Sequence, residues 1–386
     1  MKNNSSKNKF NLSSVKVVDL FCGVGGLTHG FVKENFNVIA GIDFDKSCSY
    51  AYEKNNKSKF IHADLTKFKA WKIKKLFAKS SIKILVGCAP CQAFSTYTQG
   101  KKKNDKWKLL YSFGKLIAEV KPHIISMENV PNLLNYKKGK VFNDFLSVLT
   151  TNGYSVEYKI VDAKDYGVPQ RRKRLILIGS RIGVIKIPRK THYKKRLVTV
   201  KKAIGKLAKI EDGQANEIDA LHRARKLSPL NLKRIKATPE GGSWKDWKDS
   251  LILDCHKKES GKTYVSVYGR MKWNDVSPTL TTQCTGYGNG RYGHPKQNRA
   301  ISLREAAILQ SFPKNYDFVN PDEKFYPTPI EQHIGNAVPV RLAKVVAKSI
   351  KKHLENLPQK KGPLLKKKLK EKHIYANRQR TIKKKY

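Results

Sequence analysis

The sequence predicts an α/β protein built on a doubly wound, mainly parallel β-sheet. Short apolar, β-branched runs are separated by helix-like segments, and these runs lie at 15–21, 38–43, 59–64, 82–87, 123–128 and 174–179. A polar side chain also stands at or just beyond the end of four of the runs, namely Asp43, Asp64, Cys91 and Glu128. The carboxyl ends of parallel strands face the ligand crevice of an open sheet. We therefore expect these four side chains to meet at one edge of the sheet.

The remaining elements follow in chain order. A glycine turn at 23–26 leads from the first strand into a helix expected at 27–34, and a second helix is expected at 46–54. After about residue 181 the strand–helix alternation stops, and basic patches alternate with aromatic and glycine-rich turns up to about residue 299. This change predicts a second, smaller and less regular domain. Helical patterning returns at 302–310, where Ser302 and Glu305 fit a capping box, and at 340–354.

Net charge is the strongest compositional feature. The 386 residues include 79 Lys and Arg against 30 Asp and Glu, which gives a formal net charge of +49. Such an excess attracts polyanions, so nucleic acid is the first partner to expect and an anionic membrane a weaker second. No run approaches the roughly 20 apolar residues of a membrane span, and no secretory signal is visible. Six cysteines in so long a chain do not predict a disulfide framework, so the expected compartment is the cytoplasm.

The glycine turn is suited to a ligand that approaches the backbone closely. Gly23, Gly25 and Gly26 leave amide groups available at the start of a helix, although phosphate and dinucleotide sites use the same arrangement. The spacing does not match the dinucleotide fingerprint, which argues against a nicotinamide-dependent oxidoreductase. Asp43 ends the next strand, where an acid can accept hydrogen bonds from ribose hydroxyls, and Phe44 offers a flat surface. Together these residues indicate an adenosine-containing cofactor.

The thiol of Cys91 has several possible roles. Cysteine at the exit of a strand is a nucleophile when a base or its surroundings activate it, and otherwise a small buried hydrophobe. Cys88 and Cys91 form a C-x-x-C pair, so a redox pair and a zinc site also come into consideration. Zinc needs about four ligands and the sequence offers no second matching pair, so no metal is expected. Glu128 and the basic segment 170–174 supply a carboxylate and guanidinium groups, of which Arg171 and Lys173 are expected to be solvated surface charges.

Six segments occur in an order that resembles one enzyme family. They read DLFCGVGG at 19–26, APCQAFS at 89–95, MENV at 127–130, QRRKR at 170–174, RE with LQSFP at 304–313, and GNAVP at 335–339. In this order the chain resembles the DNA cytosine-5 methyltransferases of the bacterial restriction-modification type. The resemblance extends from about residue 16 to residue 351 and excludes both termini.

The resemblance implies a mechanism and assigns roles within it. The Cys91 thiolate would add to carbon 6 of cytosine, so that carbon 5 can attack the methyl group of S-adenosyl-L-methionine. Glu128 would bind the base at ring nitrogen 3 and its amino group, Arg172 would hold the base and Glu128, and Arg174 would support them. The cytosine must leave the duplex to reach these groups. The cofactor-binding residues would be Phe21, Gly23, Gly25, Gly26, Asp43, Phe44, Asp64, Leu65, Pro90, Asn336 and Ala337.

The resemblance also implies a domain division and partners. We expect a catalytic, cofactor-binding domain at 14–183, a target-recognition domain at 184–300, a return to the catalytic domain at 301–356, and a basic tail at 357–386. The expected partners are double-stranded DNA and a cognate restriction endonuclease, with the protein acting as a monomer on DNA. Two alternatives stay open: a cytosine-5 methyltransferase acting on transfer RNA, and a catalytically silent DNA-binding protein of the same fold.

Overall fold

A computed structural model describes residues 12–78, 80–90, 105–193 and 196–357 of the chain. Its central feature is a seven-stranded sheet in the order β3-β2-β1-β4-β5-β7-β6. The strands are β1 (Val15–Leu20), β2 (Asn37–Asp43), β3 (Lys59–His62), β4 (Ile82–Gly87), β5 (Ile124–Asn129), β6 (Ser155–Asp162) and β7 (Lys173–Ser180). Strands β1 to β5 pair in parallel, whereas β7 runs antiparallel to both of its neighbours. The predicted α/β class and the mainly parallel sheet are confirmed.

Helices cover the sheet and continue beyond it. They are α1 (Gly26–Val32), α2 (Ser49–Asn56), α3 (Ala70–Leu76), α4 (Lys108–Val120), α5 (Lys140–Thr151), α6 (Val200–Ile204), α7 (Pro229–Ala237), α8 (Asp254–Lys257), α9 (Leu303–Leu309), α10 (Pro327–Asn336) and α11 (Val340–Glu355). The capping box predicted at Ser302 and Glu305 is present, with the Ser302 side chain accepting from the Glu305 amide and Glu305 accepting from the Ser302 amide. None of the described helices is long and apolar enough to cross a membrane.

Burial distinguishes β1, β4 and β5, which the sequence predicts, from β6, which it does not. All six residues of β5 are buried, and β1 and β4 are buried over most of their length, as continuous apolar runs in a parallel sheet require. Strand β6 lies at the edge of the sheet and exposes most of its side chains, among them Tyr158 and Ile160. Its sequence alternates polar and apolar residues, so it does not show the apolar run by which the other strands were identified.

The C-terminal segment packs against the start of the chain. Residues of α11, including Leu342, Ala343 and Val346, belong to one buried cluster with Val15 of β1 and Phe31 of α1. A buried apolar face of α11 therefore covers the same side of the sheet as α1.

Residues 196–300 differ from the sheet region in both secondary structure and core. Among the described residues of this range, helices are short and strand pairing is limited to isolated bridges such as Arg270 with Gly293. One cluster of buried residues lies within this region and contains Ile235, Trp244, Trp247, Tyr287 and Ala300. Other buried residues of the region, such as Met271 and Leu280, share a cluster with Cys22 and Tyr52 of the sheet region. The irregular character expected here is present, while the proposed domain boundaries remain predictions.

Candidate active site

Strand register places two side chains beside each other at the edge of the sheet. In the parallel pair of β4 and β5, Gly87 is paired with Met127, so Cys88 and Glu128 follow at equivalent positions. The residues that follow, Ala89 and Asn129, are also in contact, because the Asn129 side chain donates a hydrogen bond of 3.0 Å to the carbonyl oxygen of Ala89. The carboxyl ends of β4 and β5 thus present a thiol and a carboxylate to the same space.

Glu128 is the best-defined acid at this edge. Its side chain is almost fully buried, and its Oε2 accepts a hydrogen bond of 2.8 Å from the Cys88 thiol. The Nε atom of Arg174 lies 2.9 Å from Oε1, close enough for an ion pair. The angle of this contact is too poor for a hydrogen bond, so within the described residues Oε1 has no hydrogen-bond partner. A buried acceptor of this kind has room for a donor from a ligand.

Arg172 and Arg174 of the basic segment have different positions from those expected. We expected Arg172 to hold Glu128 with Arg174 in support, but Arg174 makes the ion pair. In the antiparallel register Glu128 is paired with Ile176, and Arg174 is two residues from Ile176, which makes it a diagonal neighbour on the same face. Arg172 is four residues from Ile176 and precedes β7. Its guanidinium instead donates to backbone carbonyls, including those of Leu280 and Gly335 at 2.8 Å each.

The expected nucleophile, Cys91, lies outside the described residues. Pro90, the last described residue before it, lines a cavity of about 490 Å³ next to Cys88. This cavity lies at the carboxyl ends of the strands, as the sequence predicts for an open parallel sheet. It is bounded by Phe21, Cys22, Gly23, Val24, Gly26, Leu27, Asp43, Phe44, Asp45, Cys48, Ala63, Asp64, Leu65, Cys88, Pro90, Leu109, His333, Asn336, Ala337 and Val338.

Ten of the eleven residues expected to bind the cofactor line this cavity. The exception is Gly25, the residue before α1, whose φ of 86° is left-handed. A Cβ atom at Gly25 would lie 2.5 Å from Nδ2 of Asn56 and would also approach Tyr52 and Tyr316. Gly25 is therefore needed for the turn and for close packing against buried side chains. It shapes the loop without forming the wall of the cavity.

Asp43 holds the glycine loop in place. Its Oδ2 accepts a hydrogen bond of 2.8 Å from the Gly23 amide, and its Oδ1 accepts one of 2.9 Å from the Asp45 amide. Burial raises the pKa of the Asp43 carboxyl. Each carboxylate oxygen has more than one acceptor site, so Asp43 can still accept from a hydroxyl group of a ligand. Asp64 is more exposed, and its Oδ1 accepts from both the amide and the hydroxyl of Thr66.

Three of the cavity residues that the sequence analysis missed form a cluster. Asp45, Cys48 and His333 have side-chain atoms within 4.8 Å of one another that could serve as metal ligands. Asp45 Oδ2 is 3.1 Å from Nε2 of His333, and this hydrogen bond is the largest cause that lowers the pKa of Asp45. The contact joins the loop after β2 to α10 across the cavity. Asp45 comes only two residues after the predicted strand that ends at Asp43, so its position near the cavity could have been predicted. Nothing in the sequence indicates its contact with His333.

A second acid lies directly beneath the glycine loop. Asp19 in β1 is fully buried, and burial raises its pKa to about 7. Its Oδ2 accepts a hydrogen bond of 2.7 Å from the Thr28 hydroxyl, while Oδ1 has no hydrogen-bond partner within the described residues. Asp19 does not line the cavity, and its position indicates a structural role for the loop.

Comparison with known proteins identifies the family. The model of the C-5 cytosine-specific DNA methylase family matches residues 15–352. The chain belongs to this family. It is a DNA cytosine-5 methyltransferase, as the ordered segments of the sequence indicated, and its substrate is DNA.

The relatives of this methyltransferase match it over most of their length. It is 52% identical over 344 residues to the type II methylase M.HgiDII of Herpetosiphon aurantiacus, and the aligned part covers 89% of this chain and 97% of the relative. It is 30% identical over 357 residues to the type II methyltransferase M.Sau96I of Staphylococcus aureus, with 91% and 78% covered.

Solved structures support the fold. One is a protein described as a DNA modification methyltransferase encoded within a prophage of Escherichia coli, with a TM-score of 0.67, 23% identity, and coverage of 89% of this chain and 99% of that one. Another is the DNMT2 protein of Spodoptera frugiperda, with a TM-score of 0.61, 15% identity, and coverage of 87% and 99%. At these identities the likeness concerns the fold alone.

Proposed function

We propose that this methyltransferase takes the methyl group of S-adenosyl-L-methionine and transfers it to carbon 5 of a cytosine that has left a DNA duplex. The observation that carries the proposal is the position of Glu128. Its carboxylate lies between Cys88 and Arg174, and Cys88 in turn lines the cavity proposed for the cofactor. Base and cofactor would thus meet at the ends of β4 and β5.

The cavity fits an adenosine-containing cation. Asp43 would accept from the ribose hydroxyls, and the exposed face of Phe44 would lie against the adenine. The Oδ1 atom of Asp64 is engaged by Thr66, which leaves its other oxygen for the adenine amino group. Asn336 and Ala337 would close the site from the end of α10. When bound, S-adenosyl-L-methionine supplies an electrophilic methyl group on its sulfonium.

The remaining chemistry belongs to the side chains of the protein. The Cys91 thiolate would add to carbon 6, and the electron pair of the 5,6 double bond would then attack the methyl group from carbon 5. Glu128 would stabilise the charge that develops on the ring through nitrogen 3, with Arg174 beside it. Solvent water would then take the proton from carbon 5, and the electron pair of that C–H bond would form the 5,6 double bond again as the Cys91 sulfur leaves as a thiolate.

The cellular setting is part of the proposal. The relatives named above are type II methylases, so we propose that this enzyme protects a short DNA sequence from a cognate restriction endonuclease. It would act in the cytoplasm as a monomer on DNA. Residues 184–300 would form the target-recognition domain, with lysines and arginines contacting phosphates and a few side chains contacting base edges.

A transfer assay with the full chain tests the proposed reaction. The protein is incubated with methyl-labelled S-adenosyl-L-methionine and either plasmid DNA or transfer RNA, and bisulfite sequencing locates the modified cytosines. We expect labelled DNA at one short recognition sequence and no labelled RNA. Cys91→Ser should abolish transfer while cofactor binding remains, and Cys255→Ser is the matched control because Cys255 is exposed and outside the cavity. Wild-type rates for Cys91→Ser would refute the mechanism.

A trapping experiment tests the covalent step separately. A duplex with 5-fluorocytosine at the target position cannot lose a proton from carbon 5, so the adduct with Cys91 should accumulate and survive denaturation. Mass spectrometry should assign the bond to the peptide that contains Cys91. Turnover on ordinary DNA without such an adduct would show that the thiol does not add to the ring.

A further inference from the structure

Arg172 is buried at a junction of three chain segments. Only 3% of the residue is exposed, yet it carries a full positive charge. One terminal nitrogen of the guanidinium donates a hydrogen bond of 2.8 Å to the carbonyl oxygen of Leu280, and the other donates one of 2.8 Å to that of Gly335. The backbone amide of Arg172 is itself fixed, because it donates to Oδ1 of Asp162 over 3.0 Å.

Two buried glutamines extend the same junction. The amide of Leu280 donates to Oε1 of Gln170 over 3.0 Å, and Nε2 of Gln170 donates to Oε1 of Gln310 over 2.8 Å. Gln310 in turn donates to the carbonyl oxygen of Ile334 over 2.8 Å. The network therefore ties residues 170–172, 280 and 334–335 together through fully buried polar groups.

The segments that Arg172 joins have different tasks in the proposed function. Gly335 is followed by Asn336 and Ala337, which line the cofactor cavity. Leu280 belongs to residues 184–300, the proposed target-recognition region. The two segments also touch directly, since a Cβ atom at Gly335 would lie only 2.2 Å from the carbonyl oxygen of Thr281. A shift of one segment thus disturbs the other, with the guanidinium between them.

We propose that Arg172 is a positioning residue that couples cofactor binding to DNA binding. This inference rests on the proposed function of the cavity and of residues 184–300. A buried guanidinium is stable only while its donors are satisfied. When the cofactor binds, it fixes the position of the Gly335 carbonyl and therefore that of the Arg172 guanidinium. The guanidinium then fixes the Leu280 carbonyl, so that the segment around Leu280 is already ordered when DNA binds. The reverse path is equivalent, because coupling between two binding equilibria is reciprocal.

Calorimetry of binding measures this coupling. The dissociation constant of the reaction product S-adenosylhomocysteine is measured with and without duplex DNA that contains the recognition sequence. For the wild-type protein we expect DNA to tighten product binding by about fivefold or more, the range typical of coupled sites. Arg172→Lys and Arg172→Met should reduce this ratio to below about twofold, with a smaller loss for lysine, since one ammonium group reaches fewer carbonyls.

Lys173→Met provides a matched control. Lys173 is the exposed neighbour of Arg172, and its replacement removes the same charge. We expect this variant to keep the wild-type coupling ratio even if its affinity for DNA falls. A general loss of stability would weaken the binding of each ligand alone. Loss of coupling would instead change the ratio of the dissociation constants of S-adenosylhomocysteine measured without and with DNA. A wild-type ratio in Arg172→Met, or an equal loss in Lys173→Met, would overturn the proposal.

Hydrogen exchange on the wild-type protein gives a second readout that needs no variant. S-adenosylhomocysteine should slow amide exchange at 279–283, and DNA should slow exchange at 335–338. If each ligand protects only its own segment, the coupling does not exist. This result is distinguishable from failure of the proposed function, which would appear as absence of product binding or of methyl transfer by the wild-type enzyme.

Discussion

The thiol of Cys88 donates a hydrogen bond to Oε2 of Glu128 over 2.8 Å. The register of β4 and β5 holds the two residues side by side, so the contact is built into the sheet. Cys88 is the first residue of the C-x-x-C pair, for which the sequence offered a redox or a zinc role. Among the described residues, its hydrogen-bond acceptor is the acid that is proposed to bind the base.

Removal of this thiol should therefore impair catalysis more than binding. We expect Cys88→Ala to lower kcat by roughly 10- to 150-fold, because a hydrogen bond to a charged group contributes on the order of 1.5 to 3 kcal/mol. Cys88→Ser retains a donor and should recover most of the rate. Steady-state assays on DNA measure both, and Cys284→Ser, at a core position, controls for loss of a cysteine. An unchanged kcat in Cys88→Ala would contradict this role.

Arg174 should be the arginine on which Glu128 depends. We expect Arg174→Met to lower kcat/KM by about 100-fold or more, because it leaves a buried carboxylate without its cation. In a double-mutant cycle, adding Arg174→Met to Glu128→Gln should cost much less than the same change in the wild-type background. Arg171→Met is the control, since the Arg171 side chain is 59% exposed and pairs with an exposed acid. Additive effects in the cycle would show that the ion pair has no functional role.

Phe44 should contribute to cofactor affinity with little effect on stability. It lines the cavity but is 72% exposed, so truncation leaves no hole in the core. Stacking of a base on an aromatic ring contributes about 1 to 3 kcal/mol, so we expect Phe44→Ala to weaken S-adenosylhomocysteine binding by at least about fivefold. Tyr193→Ala, which removes a ring with similar exposure away from the cavity, should have no effect. Calorimetry and thermal melting would separate affinity from stability.

Asp19 should make stability depend on pH between about 4 and 7. Burial raises its pKa to about 7 in the folded protein, above the 3.8 of an aspartic acid in water. The folded state thus holds the proton more tightly, and this contribution is present below about pH 4 and lost as the pH rises through 7. Asp19→Asn should remove roughly 2 to 4 kcal/mol of this pH dependence.

Urea unfolding of the two proteins at pH 4 and pH 8 measures the difference. As the pH rises from 4 to 8, the free energy of unfolding of Asp19→Asn should increase relative to that of the wild-type protein. Asp254→Asn is the control, because the Asp254 side chain is 94% exposed. Parallel curves for wild type and Asp19→Asn would mean that Asp19 does not titrate in this range.

Gly25 should matter for folding more than for the chemistry of the cavity wall. We expect Gly25→Ala to lower the free energy of unfolding by about 2 to 3 kcal/mol, since it combines a left-handed φ with a collision at Asn56. Gly153→Ala has a similar φ of 78° but meets no atom within 4 Å, so it should lose only about 1 kcal/mol. Chemical denaturation of both variants tests the difference. If both variants lost the same free energy of unfolding, the close packing of Gly25 against Asn56 would not contribute to stability.

The parts of the fold that the sequence predicts are those with a local signal. Strands β1, β4 and β5 are buried over most of their length, so their apolar runs identify them. Because strand ends converge, most of the residues expected to bind the cofactor line one cavity. Contacts between distant segments leave no such signal. The pairing of His333 with Asp45 and of Arg172 with Gly335 depends on how α10 returns to the sheet. Likewise, the contact of Glu128 with Arg174 rather than with Arg172 follows from the antiparallel register of β7, which no short motif records.

One wall of the cofactor cavity comes from Asn336 to Val338, although its glycine loop lies within the first 26 residues. During synthesis on the ribosome, the glycine loop of this cavity is therefore made long before the wall at Asn336 to Val338. Premature termination upstream of α10 would yield fragments that lack this wall, and we expect such fragments to have no methyltransferase activity.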